Sequence, residues 1–446
     1  MAELLDALAI DRAWLQRHSV VVAGSNGKGS TAAMCAQIGR AYGLRTGLFT
    51  SPHLFRFNER VQVDGKPIGD EAFARLKRQV ETAIASISKR LGQQFGAFEA
   101  LFALACLHFR ESECEFAVFE AGIGGRYDPV RLVGALQTAV TSVDLEHVEL
   151  LGHSLELIIS DKSDACAAGG TVVYGENCQE LRPHLLEYNR WRNVTPLFVR
   201  GEIGIDNASV PAQRFDFQFG YYDFRSLEMN LAGAVQFNNA AIAVTLFLLW
   251  HQHVLPRRVQ VRIETAIRTG LRDVRWPGRL EIIQQEPLTV IDVGHTPDGI
   301  RQSLASLKAI HGAEGWILVT GASGDKKADE IVGALAPSFD TIIATAAYHK
   351  GTNAQYIADA ARRANPAADI QVAATIEDAV AVSRELAPSA QPKDAGHRGR
   401  VAAKKMVERR LSSAAIGCVV GRPAAIFRCM LNSFGAEFFL RCRNAA

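Results

Sequence analysis

Gly24-Ser25-Asn26-Gly27-Lys28-Gly29-Ser30-Thr31 sets one ammonium group and three glycines beside several hydroxyls within eight residues. That combination suits a polyphosphate. Glycines let backbone N–H groups approach phosphate oxygens closely, Lys28 has the reach for β/γ-phosphates, and Ser30 or Thr31 offers a hydroxyl to Mg²⁺. A second group is Ser51-Pro52-His53-Leu54-Phe55-Arg56-Phe57-Asn58-Glu59-Arg60. Ser51 suits a metal or a phosphate, and Arg56 and Arg60 suit an anionic substrate; a purely structural Glu59–Arg60 pair is the alternative. The third is Glu120, just ahead of Ala121-Gly122-Ile123-Gly124-Gly125-Arg126. A carboxylate beside a phosphate loop can hold Mg²⁺ directly or through water.

These residues need elements that deliver them. Val20-Val21-Val22-Ala23 predicts a buried strand and Ala32 to Tyr42 a helix stopped at Gly43, so the first loop is a strand–turn–helix with the helix dipole aimed at the anion. Arg45 to Thr50 predicts a short strand feeding the Ser51–Arg60 loop, and Glu115 to Glu120 a buried strand ending in its carboxylate. Strands are also expected at Leu136–Val143 and Thr171–Gly175, a charged helix at Ala72–Leu91, and an apolar helix from Phe98 to Phe109 with Glu99 as its cap. Loops that follow strands of an α/β sheet lie at its carboxyl edge, where ligands bind. Residues 178–225 are mixed and polar, with weak alternation near Phe215–Tyr222, and Leu271 to Trp276 reads as a linker. Beyond it, strands at Trp316–Thr320 and Thr341–Ala344 alternate with helices, which implies a second doubly wound domain.

The 446 residues exceed one ordinary core, so two or three domains are expected. Net charge is +2, so no overall field argues for nucleic acid. No apolar stretch is long enough to span a membrane, and Met1-Ala2-Glu3-Leu4-Leu5 lacks the basic start of a signal peptide. The eight cysteines are scattered without a CxxC pair, as expected of reduced thiols in a cytoplasmic protein. Gln391 to Arg410 is a basic run, with Lys393, Arg398, Arg400, Lys404, Lys405, Arg409 and Arg410, and reads as a solvated face.

The string Gly24–Ser30 and the string Thr50–Arg60, in that order, resemble the two signatures of the folylpolyglutamate synthase/dihydrofolate synthase family, a branch of the Mur ligase superfamily. The resemblance is strong over residues 20–175 and patchy over 225–330. It implies an α/β fold, a P-loop ATPase domain with a mostly parallel sheet (1–273) plus a smaller Rossmann-like C-terminal domain (274–446, atypical from about 385). It also implies roles. Gly24, Ser25, Asn26, Gly27, Lys28, Gly29, Ser30 and Thr31 bind ATP; Ser30, Ser51, Glu120, His147 and Lys162 serve the metal; Gly122, Gly124 and Gly125 leave room for substrate; Arg56, Arg60, Gly124 and Asp128 meet the acceptor.

Lys162 occupies the place of a lysine that is commonly carbamylated in the family, where it would become a carboxylate-like ligand for a second Mg²⁺. Within Leu231–Ala241, Gln236 and Asn239 match the family's helix, with Val235 in place of its His, and the Asn239 amide suits adenine's edge. Pro277-Gly278-Arg279 matches a segment whose arginine reaches ATP phosphates. Asp292 would meet ribose and His295 the phosphates, although Thr296-Pro297-Asp298 looks more like the peptidoglycan-precursor Mur ligases. The expected catalytic set is Lys28, His147, Lys162, Arg279 and His295.

By that resemblance the chain is an ATP-dependent amide ligase, a cytoplasmic monomer, with ATP, L-glutamate and a folate-type carboxylate as partners and Mg²⁺ as cofactor. Tyr127-Asp128-Pro129-Val130-Arg131 departs from the family's Leu-Asp-Ala-Thr-Asn, which keeps open a Mur-type ligase with another acceptor. An inactive ATP-binding homologue is the third reading.

Overall fold

Val20, Val21 and Val22 are fully buried in β1 (Ser19–Ala23), the strand beside which the largest sheet reverses its order. The computed structural model describes residues 1–255, 260–294, 296–322, 328–346, 352–387, 418–422 and 425–429. His295, the segment Asp325-Lys326-Lys327, which resembles the family's Asp-Lys-Asp sequence, the basic run 391–410 and the last residues 430–446 lie outside the described residues.

The first sheet comprises β1, β2 (Thr46–Phe49), β3 (Val61–Val63), β4 (Lys66–Pro67), β5 (Phe116–Glu120), β6 (Gln137–Val140), β7 (Thr171–Tyr174) and β8 (Thr195–Phe198). Their order is β4-β3-β2-β5-β1-β6-β7-β8, and pairing is parallel from β2 through β8. Every residue of β1 and β5 is buried, as a central parallel strand covered on both faces requires. On one face the rings of Phe49, Phe102 and Phe109 stand 5.5–6.1 Å from that of Phe119. Each such buried ring contributes roughly 1.5–3 kcal/mol of transfer free energy.

Helices α1 (Lys28–Tyr42), α2 (Asp70–Leu91), α3 (Ala97–Glu111) and α4 (Leu155–Ser163) flank this sheet. In α1, Gly39 allows close packing, because a Cβ there would stand 2.5 Å from the Phe116 ring. Gly43 ends α1 at φ +89°, as the sequence predicts. Helix α2 carries charge but buries Phe73, Leu76, Val80 and Ile87, so it covers the core with one stripe. Glu99 accepts from the Gly96 amide at 2.6 Å, the expected cap of α3.

The polar stretch before residue 230 resolves into an antiparallel sheet of β9 (Ile203–Ser209), β10 (Arg214–Phe219) and β11 (Tyr222–Glu228). The alternation near Phe215–Tyr222 therefore spans a hairpin with its turn at Gly220 (φ +58°), not one strand. Its inner residues Phe215, Phe217, Phe224 and Leu227 join the core beneath α5 (Val235–Val254). Helix α6 (Gln260–Asp273) carries the chain through Leu271, so the connection starts after Asp273, later than the sequence suggests.

The third sheet is mixed. It holds β12 (Glu281–Gln285), β13 (Leu288–Asp292), β14 (Ile317–Thr320), β15 (Thr341–Ala344), β16 (Asp369–Val372), β17 (Cys418–Arg422) and β18 (Ala425–Cys429), with α7 (Pro297–His311) following β13. The order is β12-β13-β17-β18-β14-β15-β16, with β12 and β17 antiparallel to their neighbours. Strand β17 (Cys418–Arg422) is half of a hairpin inserted between β13 and β14. Cys35, Cys106, Cys114, Cys166 and Cys178 are buried free thiols, and no helix among the described residues is long and apolar enough to cross a membrane.

Candidate active site

The chemistry-bearing segments meet where β1, β2, β5 and β6 end, at the reversal of strand order that favours a ligand crevice. Gly24 (φ +141°) and Gly27 (φ +86°) adopt backbone that only glycine holds easily. A Cβ on Gly24 would lie 2.0 Å from Thr141 Oγ1, and one on Gly27 would lie 2.5 Å from Asn239 Oδ1. The turn is braced from β6: Thr141 Oγ1 donates to the Asn26 carbonyl at 2.6 Å, and the Asn26 amide donates to Ser142 Oγ at 2.8 Å. Neither Thr141 nor Ser142 stood out in the sequence. Two hydroxyls directly after an apolar strand were the available signal.

Lys28 opens α1, and its Nζ donates to the Gly24 and Ser25 carbonyls at 2.7 and 3.0 Å. Ser30 and Thr31 are buried in the first turn, and Thr31 Oγ1 has no hydrogen-bond partner. Glu120 is buried at the end of β5 and accepts from the Ser51 amide at 3.0 Å. Burial pushes its carboxyl up to about 7, against the opposing pull of Lys28, the Ser51 amide, Arg279 and Arg60.

In the 51–60 loop the Glu59 carboxylate accepts from the amides of Leu54, Phe55 and Arg56 at 2.8–3.2 Å, so it organises the turn and does not pair with Arg60. Buried Arg60 instead donates Nε–H to His53 Nδ1 at 3.0 Å. Burial and the Arg60 charge lower His53 to about 4, which keeps the ring neutral near pH 7. Arg56 is exposed and doubly bonded to Asp70 at 2.8 and 3.0 Å, apart from the Glu120 cluster.

The second glycine loop is filled differently from the sequence expectation. A Cβ on Gly124 would lie 2.2 Å from Asp161 Oδ1, and one on Gly125 would lie 2.6 Å from the Lys162 carbonyl. The space at these two glycines is therefore occupied by α4, not left for a substrate. Asp161 Oδ1 accepts from the Gly125 and Arg126 amides, which ties this loop to α4. Asp128 accepts from the amides of Gly122, Ile123 and Val130 at 2.8–3.0 Å, and burial raises it to about 6. Its carboxylate shapes the loop that was expected to contact the acceptor.

Lys162 is buried and donates Nζ–H to Glu146 at 2.8 Å. Burial lowers the lysine, while the Glu146 charge opposes that shift. For Glu146 burial raises the carboxyl, but Lys28, Lys162 and a Ser25 hydrogen bond outweigh it and hold it down to about 2. His147 follows on the same turn, exposed, in left-handed backbone at φ +46°. Among the described residues no three His, Cys, Asp or Glu side chains gather tightly enough to hold a metal by themselves. The set Glu120, Ser30 and Ser51 still fits a hard cation: a carboxylate that burial keeps partly protonated, with two hydroxyl side chains beside a phosphate loop. Such a cation takes one or two carboxylates and completes its shell with phosphate and water.

From the other side, Trp276 packs on Gly29, where a Cβ would meet the indole at 3.1 Å. Thr296 caps α7 and donates to Asn26 Oδ1 at 3.1 Å, tying the third sheet's edge to the phosphate loop. Arg279 acts electrostatically on both Glu120 and Asp292, and its Nε is buried with no hydrogen-bond partner. Asp292 is enclosed, accepting from the Leu280 and Gly294 amides at 3.1 and 2.8 Å, and so supports the Arg279 turn. Asn239 is buried against Gly27 and donates to Gln236 at 3.0 Å, which places it under the phosphate loop. Of the expected site residues, Lys28, Ser30, Ser51, Arg60, Glu120, Asn239 and Arg279 thus gather around the loop, Lys162 adjoins it together with Glu146, which the sequence did not single out, and Arg56 does not join them.

Known proteins are similar to this chain in sequence and fold. Residues 278–395 match the family model described as Mur ligase, glutamate ligase domain. The chain is 32% identical over 335 residues to the folylpolyglutamate synthase of Lacticaseibacillus casei, covering 73% of this chain and 76% of that one. It is 30% identical over 291 residues to the dihydrofolate synthase/folylpolyglutamate synthase of Bacillus subtilis, covering 64% and 66%. The latter match thus spans just under two thirds of that enzyme's length. Mycobacterium tuberculosis folylpolyglutamate synthase, solved with ADP and AMPPCP, superposes with a TM-score of 0.74 at 26% identity, covering 86% of this chain and 87% of that chain. The chain belongs to the folylpolyglutamate synthase/dihydrofolate synthase family of Mur ligases.

Proposed function

We propose that the chain is an ATP-dependent ligase that joins L-glutamate to a folate-type carboxylate through an acyl phosphate. The observation that carries this reading is the convergence on Glu120: Lys28 from the phosphate loop and Arg279 from beyond residue 273 both act on that one buried carboxylate. The backbone amides of Gly27, Lys28 and Gly29 and the Lys28 ammonium cradle the β- and γ-phosphates, and Arg279 Nε, a buried donor lacking an acceptor, meets a phosphate oxygen. Glu120, with Ser30 and Ser51, would hold Mg²⁺, which supplies charge neutralisation across the phosphates when bound. The acceptor carboxylate oxygen attacks the γ-phosphorus and the bond to the β-phosphate oxygen breaks, releasing ADP. The glutamate amine then attacks the acyl carbon, loses a proton, and phosphate leaves as the amide forms. The protein's part is orientation and charge placement, as in other phosphoryl transfers. We also place the division between the nucleotide domain and the C-terminal domain at residues 273–274, across which the Asn26–Thr296 contact closes the site.

A second reading, a Mur-type ligase with a non-folate acceptor, is favoured by one feature. Asp128 spends its carboxylate on three backbone amides, and the following Pro129–Val133 turn departs from the family. Phosphate release from Mg·ATP, assayed with L-glutamate and either dihydropteroate or tetrahydrofolate, separates the readings. The folate ligase requires both co-substrates for release. Stimulation by other carboxylates with silence towards pterins would establish the second reading, and no ATP cleavage with any acceptor would establish an inactive homologue.

A further inference from the structure

Two apolar side chains, Leu54 and Phe55, stand in the middle of the 51–60 loop, and the phosphate chemistry uses neither. Phe55 is half-buried against a cluster formed by Ile291 of β13 with Ile376 and Val380 of the helix Ile376–Leu386, which Ile283 and Val293 also flank. Leu54 approaches the turn that carries Arg279: a Cβ on Gly278 would lie 3.4 Å from Leu54 Cδ1 and 2.6 Å from Val293 Cγ1. Gly278 stands at φ +76°, so glycine serves this turn both by its backbone and by the room it leaves. The loop joins β2 to β3 of the first sheet, whereas every one of these apolar partners lies beyond residue 273.

The loop holds a fixed shape between these partners and the site. Glu59 accepts from the Leu54, Phe55 and Arg56 amides. Asn58 Nδ2 donates to the Ile68 carbonyl at 2.8 Å and to Asp70 at 2.9 Å, and Arg56 is doubly bonded to the same Asp70. At the start of the loop the Ser51 amide donates to Glu120. On the ATP-ligase reading above, we propose that Phe55 is a positioning residue: its ring seats the loop on the C-terminal domain and so fixes the Arg279 turn relative to the Glu120 end of the site. Arg279 comes from a different sheet than Lys28 and Glu120, and its buried Nε has no hydrogen-bond partner to hold it. The apolar seat supplies the stop. Misplacement by about 1 Å, even far from the chemistry, can cost about 10²-fold in rate.

A double-variant cycle on the full chain separates this role from a scaffold role. Calorimetric titration with AMPPCP and Mg²⁺ is the readout, with a thermal melt on each preparation. Arg279→Ala is expected to weaken binding about tenfold or more, the loss typical of a charged hydrogen bond. Phe55→Ala is expected to weaken it about three- to tenfold, because the guanidinium is no longer held in place. If Phe55 acts through Arg279, the double variant Phe55→Ala/Arg279→Ala binds within about twofold of Arg279→Ala alone. Phe55→Leu keeps an apolar side chain in the seat and is expected to stay within about twofold of wild type. Should Phe55→Ala fail to fold, Val380→Ala thins the same contact from the C-terminal side and is carried through the same cycle. In the acceptor-dependent assay Phe55→Ala is expected to lower kcat about tenfold while the acceptor KM stays within about twofold.

Additive losses in the double variant would overturn the proposal, since Phe55 would then act independently of Arg279. So would AMPPCP binding unchanged in Phe55→Ala or in Arg279→Ala. A raised acceptor KM with AMPPCP affinity intact would make Phe55 an acceptor contact instead. The AMPPCP titration needs no acceptor. A wild type that binds AMPPCP yet turns over no acceptor therefore overturns the ligase reading while leaving the cycle readable.

Discussion

Replacing Lys28 with alanine is expected to lower ATP-dependent turnover by about 10²–10³-fold, the loss typical of removing one preorganised group that faces developing charge. The fold should tolerate the change. Lys28 Nζ bonds two loop carbonyls, Gly24 and Ser25, and the turn itself is held independently by Thr141, Ser142 and the glycine backbone. The measurement is phosphate release under saturating acceptor and glutamate, with a thermal melt on the same preparation. A melting temperature near wild type with collapsed turnover is the expected pair. Equal losses in both would mean that Lys28 acts as a strut of the loop.

Glu120→Gln is the second large effect. The folded carboxyl sits near 7 against an ordinary 4.5, because burial disfavours its charged form more than Lys28, Arg279 and Arg60 favour it. The native state therefore binds more protons than the unfolded chain between those values. This residue's contribution to stability falls as pH rises from about 4.5 to about 7 and is level above. Cation binding runs the other way, since only the carboxylate can serve as a ligand. At pH 6 about a tenth of it is ionised, so Mg·nucleotide affinity should rise through pH 7 and then level off. In Glu120→Gln, turnover is expected to drop by about 10²-fold or more. The part of the pH dependence that comes from this residue should vanish, leaving only the nucleotide's own titration. Identical pH profiles for the two proteins would remove Glu120 from the cation site.

The phosphate-loop half of this site was legible because its chemistry is local. A buried strand, positive-φ glycines, a lysine and hydroxyls fall within a dozen residues, and each requirement leaves its own residue type in the sequence. Glu120 was legible for the same reason, as a carboxylate ending a run of apolar residues. What the sequence did not disclose are contacts between distant segments. Gly124 and Gly125 read as space for a ligand, yet α4 fills that space, and only the packing of residues 161–162 against 124–125 reveals it. Asp292 and Asp128 read as ligand contacts, but their oxygens hold backbone amides at buried turns. Glu146 sits beside the conspicuous His147, and nothing in its neighbours along the chain marks its bond to Lys162 sixteen residues away. The hairpin of β10 and β11 was blurred because Tyr221 extends the aromatic series Phe215, Phe217 and Phe219 past Gly220, whereas in the structure burial shifts to Tyr222 and Phe224 after the turn. The inserted hairpin of β17 and β18 lies after a long stretch that departs from the family, and only its pairing with β13 and β14 places it.

The measurement that reaches the central claim most directly follows an oxygen atom. An acceptor labelled with ¹⁸O in its carboxylate is turned over with Mg·ATP and L-glutamate, and the released phosphate is weighed by mass spectrometry. Attack of the carboxylate on the γ-phosphorus carries one labelled oxygen into the phosphate for each amide formed. Phosphate that stays unlabelled while amide accumulates would mean that the carboxylate never bonded to phosphorus, and the acyl-phosphate account of this site would be wrong.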